Sequence, residues 1–232
     1  MPLRTLLSTL AAAILSLGVF VASSGSQGEI VIRGAHSGAH LRLSVRGSHL
    51  LVEGPLARGR QPGCRTKGRH VAICSLAHAG GITVETGPSA DKIKVLSSLP
   101  TSLTAYLGGG SDKLIGDAES DTCYPQGTAR NRCIGGPGDD ACIAGPVNTD
   151  CVGGPGNDYC KTSSGSDGCW GGPGRDICAM GDGEDGCHGE GGDDLLYGDP
   201  GADRLYGGPG RDYCDGGPGR GQSVECEAGP GH

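Results

Sequence analysis

Along this chain of 232 residues the spacing of apolar positions changes twice. Residues 6–22 form one apolar run interrupted only by small polar residues and Gly. Between residues 29 and 106, apolar and polar positions alternate in short stretches, at 29–33, 41–46, 50–53, 82–85 and 93–96. A period of two turns successive side chains to opposite faces, so each stretch predicts a short, half-buried strand. Gly and Pro punctuate the stretches. From residue 107 onward the pattern tightens to one inward candidate every nine residues. These are Leu114 and Cys123, then after one inserted residue Cys133, Cys142, Cys151, Cys160, Cys169, Cys178 and Cys187, then Leu196, Leu205 and Cys214. A period this strict places each of these residues at the same point of a stacked structural unit.

Around the cysteines the segments read GGPGDDACI from Gly135, GGPGNDYCK from Gly153, GGPGRDICA from Gly171 and GGPGRDYCD from Gly207. Weaker copies such as TSSGSDGCW and MGDGEDGCH lie between them, giving twelve copies from Leu107 to Asp215. The shared pattern, G-G-x-G-x-D-x-C-x, resembles the calcium-binding nonapeptide of the RTX (haemolysin-type) family, in which the eighth position is aliphatic. The resemblance covers residues 107–224. It implies an all-β protein built as a right-handed parallel β-roll, a β-solenoid. Each Gly-rich hexapeptide would be a turn, each x-U-x a short strand, and two nonapeptides one coil. Ca2+ is the implied cofactor and partner, held between stacked loops. The chemistry suits it: calcium takes about six to eight oxygens, mixing carboxylates with backbone carbonyls, and Gly lets a carbonyl turn toward an ion.

Two repeats per coil would place alternate repeats on opposite edges. One edge then carries Asp121, Asp140, Asp158, Asp176, Asp194 and Asp212 at the sixth position without a gap. The other carries Asp112, then the uncharged Asn131 and Thr149, then Asp167, Asp185 and Asp203. All ten carboxylates are candidate ligands, as are the first-position glycines Gly135, Gly153, Gly171 and Gly207. The unbroken edge is expected to fill first.

Charge follows the same division. Residues 107–232 hold 22 acidic and 8 basic residues, whereas residues 1–106 hold 4 acidic and 11 basic. The acidic half repels itself until cations neutralise it, and it disfavours nucleic acid as a partner. Arg4, the apolar run and the small residues at Ala22, Ser23 and Ser24 read as a secretory leader over residues 1–25. The protein is therefore expected to be secreted, with no membrane span once the leader is removed. The competing reading is an uncleaved anchor. Residues 29–106 read as a small β module capping the open end of the roll, and residues 225–232 as a tail.

Export favours disulfides over thiols. Cys64 and Cys74 are expected to pair. For the rest, pairing in order gives Cys123–Cys133, Cys142–Cys151, Cys160–Cys169, Cys178–Cys187 and Cys214–Cys226, across the core. Pairing along one sheet, such as Cys123–Cys142 and Cys160–Cys178, also uses every cysteine of the ladder. Neighbouring parallel strands stand about 4.8 Å apart, longer than the usual Cβ–Cβ distance of a disulfide, which favours the cross-core scheme. With one Phe and one Trp in the whole chain, sulfur bridges and metal would replace part of a hydrophobic core.

The functional expectation is a structural or adhesive calcium-binding protein, with an unidentified cell-surface or matrix partner. No catalytic residue is assigned. His36 and His40 are four apart, but Gly34 and Gly38 argue against a helix that would bring them together, and no H-E-x-x-H or G-x-S-x-G occurs. A hydrolase or toxin activity within residues 29–106 is the alternative. An ice-binding solenoid is a further one, but it would need an outward ladder of Thr or Asn, and the positions flanking the cysteines are mixed.

Overall fold

The computed structural model describes residues 20–24, 29–34, 38–56, 63–77 and 79–226. Residues 1–19 of the expected leader, His36, and residues 227–232 of the expected tail lie outside the described residues. Within them all regular structure is β, arranged as two large sheets of 10 and 12 strands and a two-stranded patch. The 10-stranded sheet runs Phe20–Ser24, Glu29–Arg33, Gly81–Glu85, Leu103–Leu107, Thr122–Pro125, Ala141–Ile143, Tyr159–Lys161, Ile177–Ala179, Leu195–Tyr197, Tyr213–Asp215. Its partner carries the intervening strands, from Lys92–Val95 and Lys113–Ile115 through Asn131–Ile134, Thr149–Val152, Gly168–Pro173, Gly186–Gly191 and Arg204–Tyr206 to Gln222–Val224. Successive strands thus alternate between sheets. Strands two apart in sequence pair in parallel, as Cys142↔Cys160 and Cys151↔Cys169. This is the β-roll that the nonapeptide period implies.

The five strands expected in residues 29–106 form, each within a residue or so of its expected bounds. They are continuous with the roll rather than separate from it. Ala105 pairs with Cys123 and Ile93 with Leu114, so both ladders run unbroken through residue 107. Antiparallel strands close the same end. His40–Arg46 turns back into His49–Glu53, followed outward by Val71–Ser75 and Cys64–Lys67. Such strands cover an edge whose open backbone groups would otherwise pair with another chain.

At this end residues 20–24, the last part of the segment read as a leader, form a strand antiparallel to Glu29–Arg33, with Phe20 opposite Arg33 and Ser24 opposite Glu29. Glu29–Arg33 is otherwise the edge of its sheet, and its outward N–H and C=O groups are met by the nearest extended segment of its own chain.

The core is a single column whose chemistry changes along its length. At the N-terminal end it is aliphatic, with Ile30, Ile32, Leu41, Leu43, Leu50, Ile82 and Ile93 buried. From Cys123 to Cys187 every inward position is a buried Cys, and Leu196 and Leu205 return to hydrocarbon before Cys214. Outward, the position after the core residue gives the ladder Ile115, Ile134, Val152, Trp170, His188, Tyr206. The His188 ring stacks on Tyr206 at 4.7 Å and on Trp170 at 6.1 Å.

Disulfides cross the core between sheets: Cys123–Cys133, Cys142–Cys151, Cys169–Cys178 and Cys214–Cys226, with Cys64–Cys74 in the antiparallel cap. The expected Cys160–Cys169 and Cys178–Cys187 bridges are corrected. Cys169 bonds Cys178 instead, and Cys160 and Cys187 are buried thiols. Each sulfur in the column has a neighbour nine residues away on either side, so pairing can start in either register. Once Cys169 takes Cys178, Cys160 is left facing Cys151, which is already bonded to Cys142, and Cys187 faces Leu196. Burial raises the pKa of both thiols, so they are held neutral. The sulfurs of Cys169, Cys178 and Cys187 lie within 4.8 Å of one another, but two of the three share a bond and offer no thiolate to a soft metal.

Candidate metal edges

The loops joining the sheets stack along two edges, each loop lying over the one 18 residues earlier. On the unbroken edge the loops span 116–121, 135–140, 153–158, 171–176, 189–194 and 207–212. Their Asp side chains turn inward and are almost fully buried, with Asp194 at 0% exposure and Asp158 at 6%. One carboxylate oxygen has a constant duty. Oδ1 accepts the backbone N–H of the Asp one coil earlier: Asp140 Oδ1 from Asp121 at 2.7 Å, Asp158 from Asp140 at 2.7 Å, Asp176 from Asp158 at 2.7 Å, Asp194 from Asp176 at 2.8 Å and Asp212 from Asp194 at 2.9 Å. These bonds fasten coil to coil.

The other oxygen is different. Oδ2 of Asp140, Asp158, Asp176 and Asp194 is buried with no hydrogen-bond partner. A buried acceptor left without a partner costs about 1–3 kcal/mol, more when charged. The first-position glycines explain what these oxygens face. A Cβ on Gly153 would stand 2.2 Å from Asp158 Oδ2 and 2.6 Å from the carbonyl oxygen of Gly171 in the next coil. The corresponding distance to Oδ2 is 2.1 Å at Gly135, 2.3 Å at Gly171 and 2.6 Å at Gly207. Glycine is therefore required at this position for space. At Gly153 and Gly189 an orphaned carboxylate oxygen, of Asp158 and of Asp194, and the carbonyl of the next coil converge on a volume that any side chain would fill, and at Gly135 and Gly171 the orphaned Oδ2 of Asp140 and Asp176 borders the same space. An all-oxygen donor set of carboxylate and carbonyl is what a hard divalent cation takes, so the residues present fit calcium. Bound there, the ion would supply the missing countercharge and join consecutive coils.

Electrostatics agree. Burial pushes Asp140 and Asp176 up to about 7 and Asp121 and Asp158 up to about 6, with neighbouring carboxylates adding to the effect. Asp194 is raised for the same first reason. A bound cation reverses that balance by favouring the charged form. Asp121 starts the row and is satisfied differently. Its Oδ1 accepts from Leu103 N–H and its Oδ2 from Asp117 N–H, both at 3.0 Å. At the far end, the Gly207 cradle is closed by the carbonyl of Glu225, whose φ is 56°.

The second edge keeps the coil-to-coil bonds but not the cradles. Asp167, Asp185 and Asp203 accept from Thr149, Asp167 and Asp185 N–H at 2.6, 2.7 and 3.0 Å, and each leaves Oδ2 without a partner. Yet the first position of loops 162–167 and 180–185 holds the buried side chains of Thr162 and Met180. Thr162 donates its hydroxyl to the Met180 carbonyl. Only Gly198, ahead of Asp203, leaves that space open. In the middle of this edge Asn131 accepts from Asp112 N–H at 2.8 Å, and the Thr149 hydroxyl is turned to the Val147 carbonyl at 3.0 Å. Arg130 stands beside this gap, paired with Asp150 at 2.5 Å. Asp112 lies on the N-terminal side of it, with burial pushing its pKa up to about 6.

Asp91 was not among the sequence candidates. It is 0% exposed, its Oδ1 accepts Ala39 N–H, its own N–H donates to Asp112 Oδ1 at 2.8 Å, and its Oδ2 has no hydrogen-bond partner. The signal was the echo of Asp112-Lys113-Leu114 in Asp91-Lys92-Ile93. It was masked because the loop before Asp91 lacks the Gly-Gly opening.

Residues 104–124, 152–178 and 188–222 match the RTX calcium-binding nonapeptide repeat, in four copies. The chain carries RTX calcium-binding repeats, and its solenoid is a parallel β-roll consistent with them, with cysteine at the inward position of most repeats. No curated protein and no solved structure gave a match.

Proposed function

We propose that this protein is a secreted, non-catalytic structural or adhesive element, a rod that becomes rigid when calcium joins its coils and is stapled by disulfides. The observation that carries the reading is the row of buried, unpartnered Oδ2 atoms of Asp140, Asp158, Asp176 and Asp194, each beside a space that glycine keeps open, with the carbonyl of the next coil on the same space at Asp158 and Asp194. Calcium would enter first along the edge from Asp140 to Asp212, where the cradles are continuous. The leader-like start and five disulfide bridges support an extracytoplasmic setting. Calcium titration followed by far-UV circular dichroism tests the reading in disulfide-intact and reduced protein. The expected result is a calcium-dependent gain of β signal that magnesium does not reproduce. A spectrum unchanged by calcium in both states would overturn it. Recovery of the chain from the medium of an expressing host, rather than from its cytoplasm, tests the setting.

A further inference from the structure

The basic half of the chain has a definite address on the roll. On the 12-stranded sheet, His40, Lys92, Lys113 and Arg132 are consecutive cross-strand partners, and Arg42 pairs with Lys94 in the adjacent row. All point away from the core, and all except the half-buried Lys113 are exposed. No carboxylate occupies an outward position on these four strands. Neighbouring strands lie about 4.8 Å apart, so the cations stand side by side in single file. Like charges directly opposite one another destabilise a sheet. Among the described residues, the ion pairs are Arg33–Glu85 and Arg130–Asp150, and neither involves Arg42, Lys92, Lys94, Lys113 or Arg132. Asp150, the next partner of Arg132 along the row, is engaged by Arg130. Glu53 stands opposite Arg42 on the antiparallel strand His49–Glu53, so the carboxylates in register lie at the two ends of the stripe, and Lys92, Lys94 and Lys113 between them have no acidic cross-strand partner.

We propose that this stripe is a binding surface for a linear anionic polysaccharide carrying regularly spaced sulfate or carboxylate groups. Three features select that partner. The face is a flat sheet with charges at a fixed repeat, which matches an extended polymer lying along the roll axis. Its four strands carry no aromatic ring other than His40 on which unpaired bases could stack, the outward Trp170, His188 and Tyr206 rings lying on later strands of the sheet. Leu96, next outward after Lys94, is its one exposed large apolar side chain, with Ile115 and Ile134 half-buried, which is far less than the apolar face of a membrane anchor. The stripe sits on a sheet face, whereas the Asp rows sit on the loop edges, so the two sites operate separately.

Dextran sulfate, binding measured by calorimetry to the calcium-loaded full chain, is the probe. Neutral dextran, oligo-dT and phosphatidylserine vesicles are the comparisons. Dextran sulfate is expected to bind, to weaken with rising salt, and to lose at least tenfold in affinity in K92E/K113E/R132E. The neutral K92Q/K113Q/R132Q variant is expected to lose affinity in the same direction and serves if the reversed charges disturb folding. K161E/R204E, at exposed positions far from the stripe, is expected to bind as the unaltered chain does. Calcium titration of each variant separates a failure of this proposal from a failure of the calcium reading. Undiminished binding by both triple variants would overturn the proposal. So would tighter binding to oligo-dT or to vesicles, or a stripe-dependent self-association that competes with dextran sulfate.

Discussion

Replacing Gly153 by Ala tests the metal edge where both a carboxylate oxygen and a carbonyl crowd the added atom. The backbone at Gly153 lies outside the positive-φ region, so alanine brings no conformational penalty and the effect is one of space alone. Its methyl carbon would stand 2.2 Å from Asp158 Oδ2, whereas ordinary contact begins at 3.4 Å, leaving about 1.2 Å of overlap to relieve. Without metal, the carboxylate can swing aside. With calcium bound it cannot, because Oδ2 and the Gly171 carbonyl are both drawn toward the ion. The backbone carbonyl of Gly171, 2.6 Å from the methyl, is crowded in both states, so the extra penalty that the carboxylate brings falls on the loaded state. Overpacking of this kind costs about 1–3 kcal/mol, which weakens the local site roughly 5- to 150-fold. Gly186→Ala is the control, since a Cβ there meets nothing within 4 Å and φ is not positive. It is expected to leave calcium binding unchanged. Isothermal titration of the disulfide-intact protein reads both variants, with circular dichroism confirming the fold. If Gly153→Ala and Gly186→Ala titrate alike, the space in front of Asp158 is not the ion site.

Other consequences are as direct. Asp158→Asn removes a carboxylate from a continuous row and is expected to lower the number of calcium ions bound more than Asp112→Asn, which lies at a row broken by Asn131; equal losses in calorimetry would show the two edges to be equivalent. The metal-free roll should be acid-favoured: Asp140 and Asp176, at about 7 in the fold against about 3.9 unfolded, contribute stability that is fully present below pH 4 and lost as pH rises through 7. With calcium the sign reverses, because the ion requires the charged form, so its apparent affinity should fall between pH 8 and pH 5; denaturation at both pH values with chelator or calcium checks both slopes. Thiol titration of non-reduced protein should find no reactive thiol in the native state and two after unfolding in denaturant, since Cys160 and Cys187 are buried; no thiol after unfolding would mean that the ladder had completed the other register. N-terminal sequencing of exported protein is expected to begin near Ser23 or Ser24. Cleavage there removes most of the strand formed by residues 20–24 and leaves Glu29–Arg33 as the sheet edge.

The roll was legible in the sequence because one period carried both of its requirements. A core residue every nine positions and an Asp two residues before it can be satisfied together only by stacked coils. The continuation of the roll into residues 29–106 was harder to read. There the core is ordinary Ile, Leu and Val on longer strands, and nothing in Ile82 or Ile93 states which sheet it joins. Asp91 stayed hidden for the same reason. The disulfide register was legible in part: Cys123–Cys133, Cys142–Cys151 and Cys214–Cys226 form across the core as expected, but from Cys160 to Cys187 identical side chains at identical spacing give each cysteine two equivalent partners, and sequence offers no asymmetry to choose between them.

The two edges show where local sequence and function part. By the Asp count alone, loops 162–167 and 180–185 look as good as loops 153–158 and 171–176. What separates them is the first position, where Thr162 and Met180 stand in place of Gly153 and Gly171. On one edge the absence of a side chain leaves a carboxylate oxygen and a carbonyl facing open space; on the other, Thr162 and Met180 fill that position, and the Thr162 hydroxyl ties its coil to the next without metal. A roll with one ion-dependent edge and one largely self-satisfied edge would keep its coils in register when calcium is withdrawn, and the ions would then set stiffness more than topology. The sulfur column points the same way, since its four bridges across the core hold the two sheets together whether or not the loops are loaded. Withdrawal of calcium from disulfide-intact protein should therefore loosen the edge from Asp140 to Asp212, seen as faster amide exchange at those loops, while Cys169 and Cys178 and the strands that carry them remain protected. Equal loss of protection on both edges would show that the ions, and not the sulfur column, hold the coils in register.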